Sequence, residues 1–313
     1  MVAFALKRLL ATIPVMAMVA LVVFLILRLS PGDPAAILAG DAATPETIAR
    51  IRATLGLDRP ILIQFWDWVW QLAHGDLGAS LLSLQPVSVT IGQKVGTTLA
   101  LTITTIVFSV VVAVPLGVIA AWKHNTWIDR GVMTLSVIGF SVPVFVLGYG
   151  WIYGFAMQLK LFPVQGYVGL DAGFGPFIEH LVLPTLTLSV IFIALIARIT
   201  RASVLEVLAE DYIRTAHAKG VSEGRVLTRH ALRNAAVPIV SVIGIGIALL
   251  IGGVVVTESV FNLPGLGRLT VDAVLARDYP IIQGVILVFS AAYVLINLAI
   301  DITYTLFDPR IRY

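Results

Sequence analysis

The side chains that usually carry out catalysis or bind metals form no recognisable group in this sequence. There is no G-x-x-x-x-G-K-[ST] phosphate-binding loop and no H-E-x-x-H metal-binding pattern. The absence of cysteine excludes disulfides, cysteine-ligated zinc and iron–sulfur clusters. The histidines are scattered, with no Ser/His/Asp spacing around them: His74, His124, His180, His217 and His230. The sequence therefore predicts no catalytic residue, no metal site and no cofactor in this chain.

A row of hydroxyl side chains is the clearest polar pattern within an apolar stretch. Thr98, Thr102, Thr105 and Ser109 follow helical spacing. Hydroxyls in a membrane helix often donate to the carbonyl oxygen three or four residues earlier. The row therefore either lines a pathway or satisfies its own helix, and the sequence leaves both interpretations open.

Two further residues interrupt apolar stretches. Pro143 has no backbone N–H, so we expect a kink that shapes either a pathway or a packing bend. Glu258 lies near the end of another stretch, where a carboxylate is costly to bury unless it is paired or hydrated. It either contacts a ligand or a partner protein, or caps a neighbouring loop.

Small residues form a stripe at four-residue spacing in a later apolar stretch. Gly244, Ala248 and Gly252 allow close approach of a neighbouring helix. We interpret this stripe as helix packing, within the chain or against a second chain, in preference to substrate contact.

The polar segment 198–233 shows helical spacing of apolar residues on both sides of Gly220. We predict two short helices joined by a tight bend, with Gly220 at positive φ. Such an exposed bend favours a protein partner, with an ordinary loop as the alternative. Arg225, Arg229 and Arg233 recur on one face, which an acidic partner or the charge bias of membrane proteins would each explain.

The elements that carry these residues are membrane-spanning. Charged residues make up 12% of the chain, against about 25% in soluble proteins. Hydrophobic residues make up 58%, and the mean hydropathy is +0.97. Six charge-free runs each supply most of the roughly 20 residues that cross a bilayer as a helix: Leu9–Leu27, Val95–Trp122, Gly131–Leu159, Leu181–Ala197, Asn234–Thr257 and Tyr279–Ile300. A seventh run, Leu77–Gln93, is rich in Ser, Thr and Pro and predicts a loop.

The distribution of Lys and Arg predicts the orientation. Six spans place both termini on one side, and the short segments on that side carry 13 basic residues against 3 in the opposite short segments. Both termini are therefore predicted to be cytoplasmic. The net charge of +3 follows from this bias, and no basic face with stacking aromatics predicts nucleic-acid binding.

The predicted external segment 28–94 contains two helical patterns, from Pro45 to Leu55 and from Ile61 to His74. The second helix carries Trp66, Trp68 and Trp70, a density typical of the lipid headgroup region. A small external lid packed on the spans is equally compatible with the sequence.

Segment 211–234, DYIRTAHAKGVSEGRVLTRHALRN, resembles the cytoplasmic EAA loop of ABC-importer permeases, in the form of the peptide/nickel subgroup. Further matches to that subgroup run along nearly the whole chain: LRLSPGDP (27–34), LGLDRP (55–60), HGDLG (74–78), SVPVFVLG (141–148), TESVFNLPGLGRL (257–269), RDYP (277–280) and FDPRIR (307–312). The external motifs resemble the first of the two permeases that such systems pair.

Within the EAA-like loop, Arg214, Thr215 and Ala216 occupy the Glu-Ala-Ala positions and Gly220 occupies the glycine position. The resemblance assigns these residues to coupling with an ATPase. An arginine at position 214 leaves no role there for a glutamate.

The resemblance implies an all-α membrane protein with six transmembrane helices, a type I ABC importer permease with a MetI-like core. It implies an external helical segment in 1–94, a five-helix core in 95–307 that includes the loop 198–233, and a cytoplasmic tail in 308–313. The implied partners are a homologous second permease, two ATPase subunits that bind ATP and Mg, and an extracytoplasmic substrate-binding protein.

The resemblance predicts import of peptides or similar small solutes across the inner membrane. A stand-alone secondary carrier or channel is the alternative, and it would need a midplane ionic site that the sequence does not show. A membrane-embedded enzyme would need paired acid–base residues within the spans, and none are found.

Overall fold

The computed structural model describes residues 2–29, 34–39, 44–54 and 56–307, and the predicted cytoplasmic tail, 308–313, lies outside them. Within the described residues the fold is helical, with one isolated bridge between Ala79 and Pro86 in place of any sheet. The all-α class is therefore confirmed.

The helices are numbered in chain order. They are α1 Val2–Leu29, α2 Pro34–Ala39, α3 Pro45–Thr54, α4 Ile61–Ala73, α5 Val87–Trp122, α6 Trp127–Ser141, α7 Val144–Trp151, α8 Phe174–Leu208, α9 Asp211–Ala218, α10 Glu223–Arg225, α11 Ala236–Val260, α12 Leu266–Leu275 and α13 Tyr279–Phe307. Two π-helical segments, Ile152–Gln158 and Val226–Leu232, continue α7 and α10.

A helix lies at each of the six predicted spans. In the described part of the chain, α5, α8, α11 and α13 are long and apolar enough to cross a membrane as single helices. α6 qualifies together with Val144–Gln158, which is α7 and the π-helical segment after it, as a bent pair. α1 contains a shorter apolar stretch, Leu10–Ile26.

The third predicted span is not one kinked helix, and this prediction needs correction. α6 ends at Ser141, and the following helix starts at Val144 with its axis turned by 102°. Val142 is extended (φ −90°, ψ 123°), as the ring of the following Pro143 requires. A proline that only removes one hydrogen bond bends a helix less. Here it also starts a new helix, because Pro143 is its N-cap.

Two helix boundaries also differ from the charge-free runs. α5 begins at Val87, so part of the run Leu77–Gln93 is helical and not a loop. α8 extends well beyond Leu181–Ala197 on both sides. A charge-free run marks only the part of a helix that suits the hydrocarbon core of a bilayer. The helix itself extends as far as its backbone hydrogen bonds continue.

The chain forms two compact units. Unit 1 contains Met1–Gly96 and Gly265–Leu295, and unit 2 contains Thr97–Pro264 and Ile296–Tyr313. In unit 1, Phe24 of α1 packs on Phe65 and Trp68 of α4, with ring centroids 5.3 and 5.6 Å apart.

The start of α5 in unit 1 packs with α12 and the start of α13. Beside this cluster, Asp278 accepts hydrogen bonds from the Ser80 hydroxyl (2.5 Å) and from the Leu81 N–H (3.1 Å). Both Ser80 and Asp278 are buried, so this contact fixes the turn before α5 to the turn before α13.

Unit 2 is built around α8, which is buried along much of its length. Helices α6, α7 and α11 pack against it. Gly139 of α6 brings that helix close to Val190 and Ala194 of α8. These contacts position the residues considered next.

Candidate coupling hairpin and transport pathway

The segment predicted as two helices and a bend forms a helical hairpin, which we define as residues 211–232. α9 is its first arm, and α10 with the following π-helical segment is its second. The bend lies where the sequence predicts it. The first arm begins only at Asp211, because Leu205 and Leu208 belong to the end of α8, and Ala209–Glu210 separate them from α9.

The bend at Gly220 is a Schellman C-cap. The Gly220 N–H donates to the His217 carbonyl (2.9 Å), and the Val221 N–H donates to the Ala216 carbonyl (3.1 Å). Gly220 has φ +75°, a conformation that glycine adopts without the steric cost of a Cβ. His217 and Glu223 face each other across the turn at 3.2 Å. The turn is therefore defined by its own hydrogen bonds.

The hairpin has a small apolar core of its own. Ile213, Ala216 and Val226 are buried together, and the end of α8 packs against them. Ala216 is only 8% exposed, so its small side chain serves contact between the two arms. It does not form part of the outer surface.

The outer surface of the hairpin is polar. Arg214 and Thr215 are exposed, and an ideal Cβ built on the exposed Gly220 would meet no other atom within 4 Å. Arg225 and Arg229 of the second arm are also exposed. This surface leaves room for another protein to approach the backbone at Gly220.

The hydroxyl row on α5 does not form a continuous polar surface. Thr98, Thr105 and Ser109 are buried, and Thr102 is half-buried. Within the described residues, the hydroxyl oxygens of Thr105 and Ser109 have no hydrogen-bond partner. The row thus faces the interior of unit 2, and whether it lines a pathway in an assembly stays a prediction.

Two of the predicted pathway residues meet. The Thr98 hydroxyl donates to Oε1 of Glu258 at 2.6 Å, which joins α5 to the end of α11. Glu258 has no exposed surface. Burial keeps this carboxylate from contact with a solute or a delivering protein in the present conformation.

A second hydroxyl contact joins Thr104 and Thr185 at 2.9 Å, between residues 81 positions apart that no local spacing relates. Both residues line an apolar groove of about 500 Å³ between α5 and α8. Because the other lining side chains are hydrophobic, this groove suits hydrocarbon better than a polar solute.

The remaining candidates have separate positions. Pro143 is exposed at the break between α6 and α7. Gly244 is buried, and a Cβ there would lie 2.4 Å from the side chain of Ile300 in α13. Ala248 is half-buried, whereas Gly252 is exposed with open space around it. Among the described residues, close packing of the small-residue stripe therefore occurs at Gly244 and not at Gly252.

Comparisons with known proteins decide the family. The pattern described as "Binding-protein-dependent transport system inner membrane component" matches residues 113–313. The pattern of the N-terminal part of such membrane components matches residues 1–102. The chain belongs to this family of ABC permeases.

The relatives of this permease match it along its whole length. A probable peptide ABC transporter permease of Sinorhizobium fredii is 54% identical over 310 residues, 99% of each chain. A putative peptide transport system permease of Brucella abortus is 48% identical over 314 residues, all of each chain. The glutathione transport system permease GsiC of Salmonella typhimurium is 45% identical over 313 residues, again all of each chain.

A solved structure shares the fold of the permease. It is an inward-facing conformation of the MetNI methionine ABC transporter, with a TM-score of 0.59 and 20% identity. The match covers 70% of this chain and 96% of that one. The MetI-like fold and the ABC-permease function are thus confirmed, and neither comparison favours a stand-alone carrier or channel.

The permease also contains an ion pair between a buried aspartate and a partly exposed arginine, which the sequence does not reveal. Arg201 of α8 contacts both carboxylate oxygens of Asp129 in α6, through Nε and, at 2.7 Å, through Nη2. The Asn125 N–H donates to Oδ2 of Asp129 at 3.0 Å. His124 Nδ1 lies 3.2 Å from the same oxygen and 3.1 Å from Arg201 Nη2. Asp129 and Arg201 are 72 residues apart, so no local spacing could have revealed the pair.

Among the described residues of the permease, no three His, Cys, Asp or Glu side chains are grouped as a metal site would require. The polar side-chain contacts of these residues join helices, hold loops or return to a carbonyl of the same helix, as that of Thr187 does with Leu183.

Proposed function

We propose that this chain is the first of two permeases in an importer of peptides or similar small solutes, and that partner ATPases drive it through the hairpin 211–232. The observation that carries the proposal is the Gly220 bend, an ordered turn with an open polar surface in a chain of this family. The relatives named for peptide and glutathione transport support the substrate class.

The proposed partners supply what this chain lacks. ATP and Mg are bound by two ATPase subunits, a homologous second permease completes the pathway, and an extracytoplasmic binding protein delivers the solute. Arg214, Thr215 and Gly220 contact the ATPases, while Ala216 supports the bend from within. ATP binding brings the ATPases together, and the hairpins move with them, which shifts the permease pair between two conformations.

Reconstitution tests this proposal. The purified chain alone in liposomes is expected to show neither ATPase activity nor uptake of labelled trialanine or glutathione. Reconstitution with the second permease, the ATPases and the binding protein encoded by neighbouring genes should produce both activities. Uptake by the single chain in response to an ion gradient would contradict the proposal.

The proposed orientation places both termini and the hairpin in the cytoplasm. Because the chain has no cysteine, single substitutions report on one position each. A membrane-impermeant thiol reagent applied to intact cells should label Gln71→Cys, in the exposed part of α4, and spare Gly220→Cys. The opposite labelling pattern would reverse the orientation.

A further inference from the structure

The ion pair between the buried Asp129 and the partly exposed Arg201 lies beside the elements that carry the hairpin. Arg201 is seven residues before the last residue of α8, and the hairpin follows α8 directly. Asp129 is in the first turn of α6, after a tight turn in which Asn125 has φ +62°. We call residues 201–208, the end of α8, the stem of the hairpin. The pair thus connects this stem to the start of α6.

The hairpin is itself fixed to this stem by apolar packing. Val204 of α8 is buried with Ala231 of the second arm and Ala121 at the end of α5. The first arm packs on the end of α8 through Ile213. Displacement of the hairpin must therefore also displace its stem at the end of α8.

We propose that Asp129 and Arg201 are positioning residues that make the start of α6 move together with the hairpin. A bidentate guanidinium–carboxylate contact fixes direction as well as distance, which apolar packing along α6 and α8 does not. α6 then carries the movement toward the break at Pro143, where the axis turns by 102°. This inference rests on the proposed coupling of the hairpin to ATPases.

The decisive variant removes both charges, because Arg201→Gln alone would leave the buried Asp129 carboxylate without its partner, and Asp129→Asn alone would leave the partly exposed Arg201 unpaired. Asp129→Asn with Arg201→Gln is expected to assemble with the ATPases at wild-type yield. The number of trialanine or glutathione molecules taken up per ATP hydrolysed should fall at least fivefold. A purely structural role would lower the yield of complex and leave this ratio unchanged. Asp67→Asn, which removes the exposed pair with Arg59 at 3.1 Å, is the matched control and should change neither quantity.

A second measurement does not depend on transport. Spin labels at Trp127→Cys and Ala218→Cys, both exposed positions, report the distance between the start of α6 and the hairpin. In the wild-type background of the assembled complex, ATP should leave one narrow distance distribution. In the doubly neutral variant, ATP should broaden it.

The outcomes separate the two proposals. A wild-type complex without uptake would overturn the proposed function, whereas the positioning role would still be supported if ATP broadened the distances in the doubly neutral variant and not in the wild type. A doubly neutral variant with a wild-type distribution or a wild-type uptake ratio would overturn the positioning role. Loss of assembly in that variant, with the ratio maintained in the complexes that form, would also overturn it.

Discussion

The two ends of unit 2 each bury a carboxylate, but they hold it differently. At the hairpin end, Asp129 is bound by the guanidinium of Arg201, close to exposed polar surface. α11 starts just after the hairpin and is about 37 Å long at 1.5 Å per residue. At its far end, Glu258 is fully buried and accepts a hydrogen bond from Thr98.

This difference separates two tasks. An ion pair beside exposed polar residues suits a surface that binds another protein. The pair fixes the positions of the helices, while the exposed residues remain accessible. A carboxylate buried away from water lowers the stability of the fold unless hydrogen-bond donors surround it. The Glu258 end therefore suits fixation of α5 to α11, and the hairpin end suits contact with a partner.

The largest expected effect is at Gly220. Gly220→Trp adds strain at positive φ and places a large side chain in the open space above the bend. We expect at least a tenfold loss of uptake and weaker retention of the ATPases on affinity purification. Membrane insertion should be unchanged, because the spans and their charge bias are unaltered.

Gly220→Ala is the control that separates the size of the side chain from the backbone strain at positive φ. Its Cβ would meet no atom within 4 Å, so only the backbone strain, about 1–2 kcal/mol, remains. Uptake should fall by less than threefold. Wild-type uptake and assembly in the Trp variant would show that the hairpin is an ordinary loop, and the contrast between the two ends would lose its functional meaning.

The sequence predicted the local features of both ends but not their partners. The Gly220 bend is local, because a Schellman cap needs only a glycine and its neighbours. Thr98 and Glu258 were each identified as candidates, yet their contact joins helices 160 residues apart, which spacing along one helix cannot show. Arg201 was counted only as one of the cytoplasmic basic residues.

The break at Pro143 shows a different limit. The run from Gly131 to Leu159 has no charge, so hydropathy treats it as one span. Hydropathy records the solvent that a segment prefers and carries no information about its direction. Proline predicts a kink, but it predicts neither a turn of 102° nor the close approach of Gly148 to Val260 and Phe261 after that turn.

At the Glu258 end, Thr98→Val tests whether the contact with Thr98 stabilises the fold. The substitution keeps the shape of the side chain but removes the donor to a fully buried carboxylate. Loss of a hydrogen bond to a charged group should lower the free energy of unfolding by about 1.5–3 kcal/mol. Unfolding of the purified chain in mixed micelles by increasing SDS measures it.

Glu258→Gln is the companion variant. Its amide oxygen still accepts the Thr98 hydrogen bond, so the loss should be smaller than for Thr98→Val. If Thr98→Val unfolds like the wild type, the hydrogen bond from Thr98 does not stabilise the buried Glu258. Glu258 and Asp129 would then differ only in where they lie.

Between the two ends, the small-residue stripe on α11 predicts a smaller effect. Gly244→Ala places a Cβ within 2.4 Å of Ile300, and overpacking of this kind costs about 1–3 kcal/mol. Gly252→Ala meets nothing within 4 Å and should not lower the stability of the isolated chain. Equal unfolding of the two variants in SDS would contradict the packing that unit 2 shows.

The smallest expected effect is that of Thr105→Val, which makes the same change as Thr98→Val two turns further along α5. The Thr105 hydroxyl is buried and has no hydrogen-bond partner among the described residues, so its removal relieves a desolvation cost and breaks no bond. The free energy of unfolding should stay the same or rise by up to about 1 kcal/mol, in contrast to the loss at Thr98. Uptake of trialanine or glutathione by the assembled complex decides the remaining question. Unchanged uptake would place Thr105 in packing, whereas a severalfold decrease at unchanged stability would mean that this hydroxyl lines the pathway when the partner permease is present.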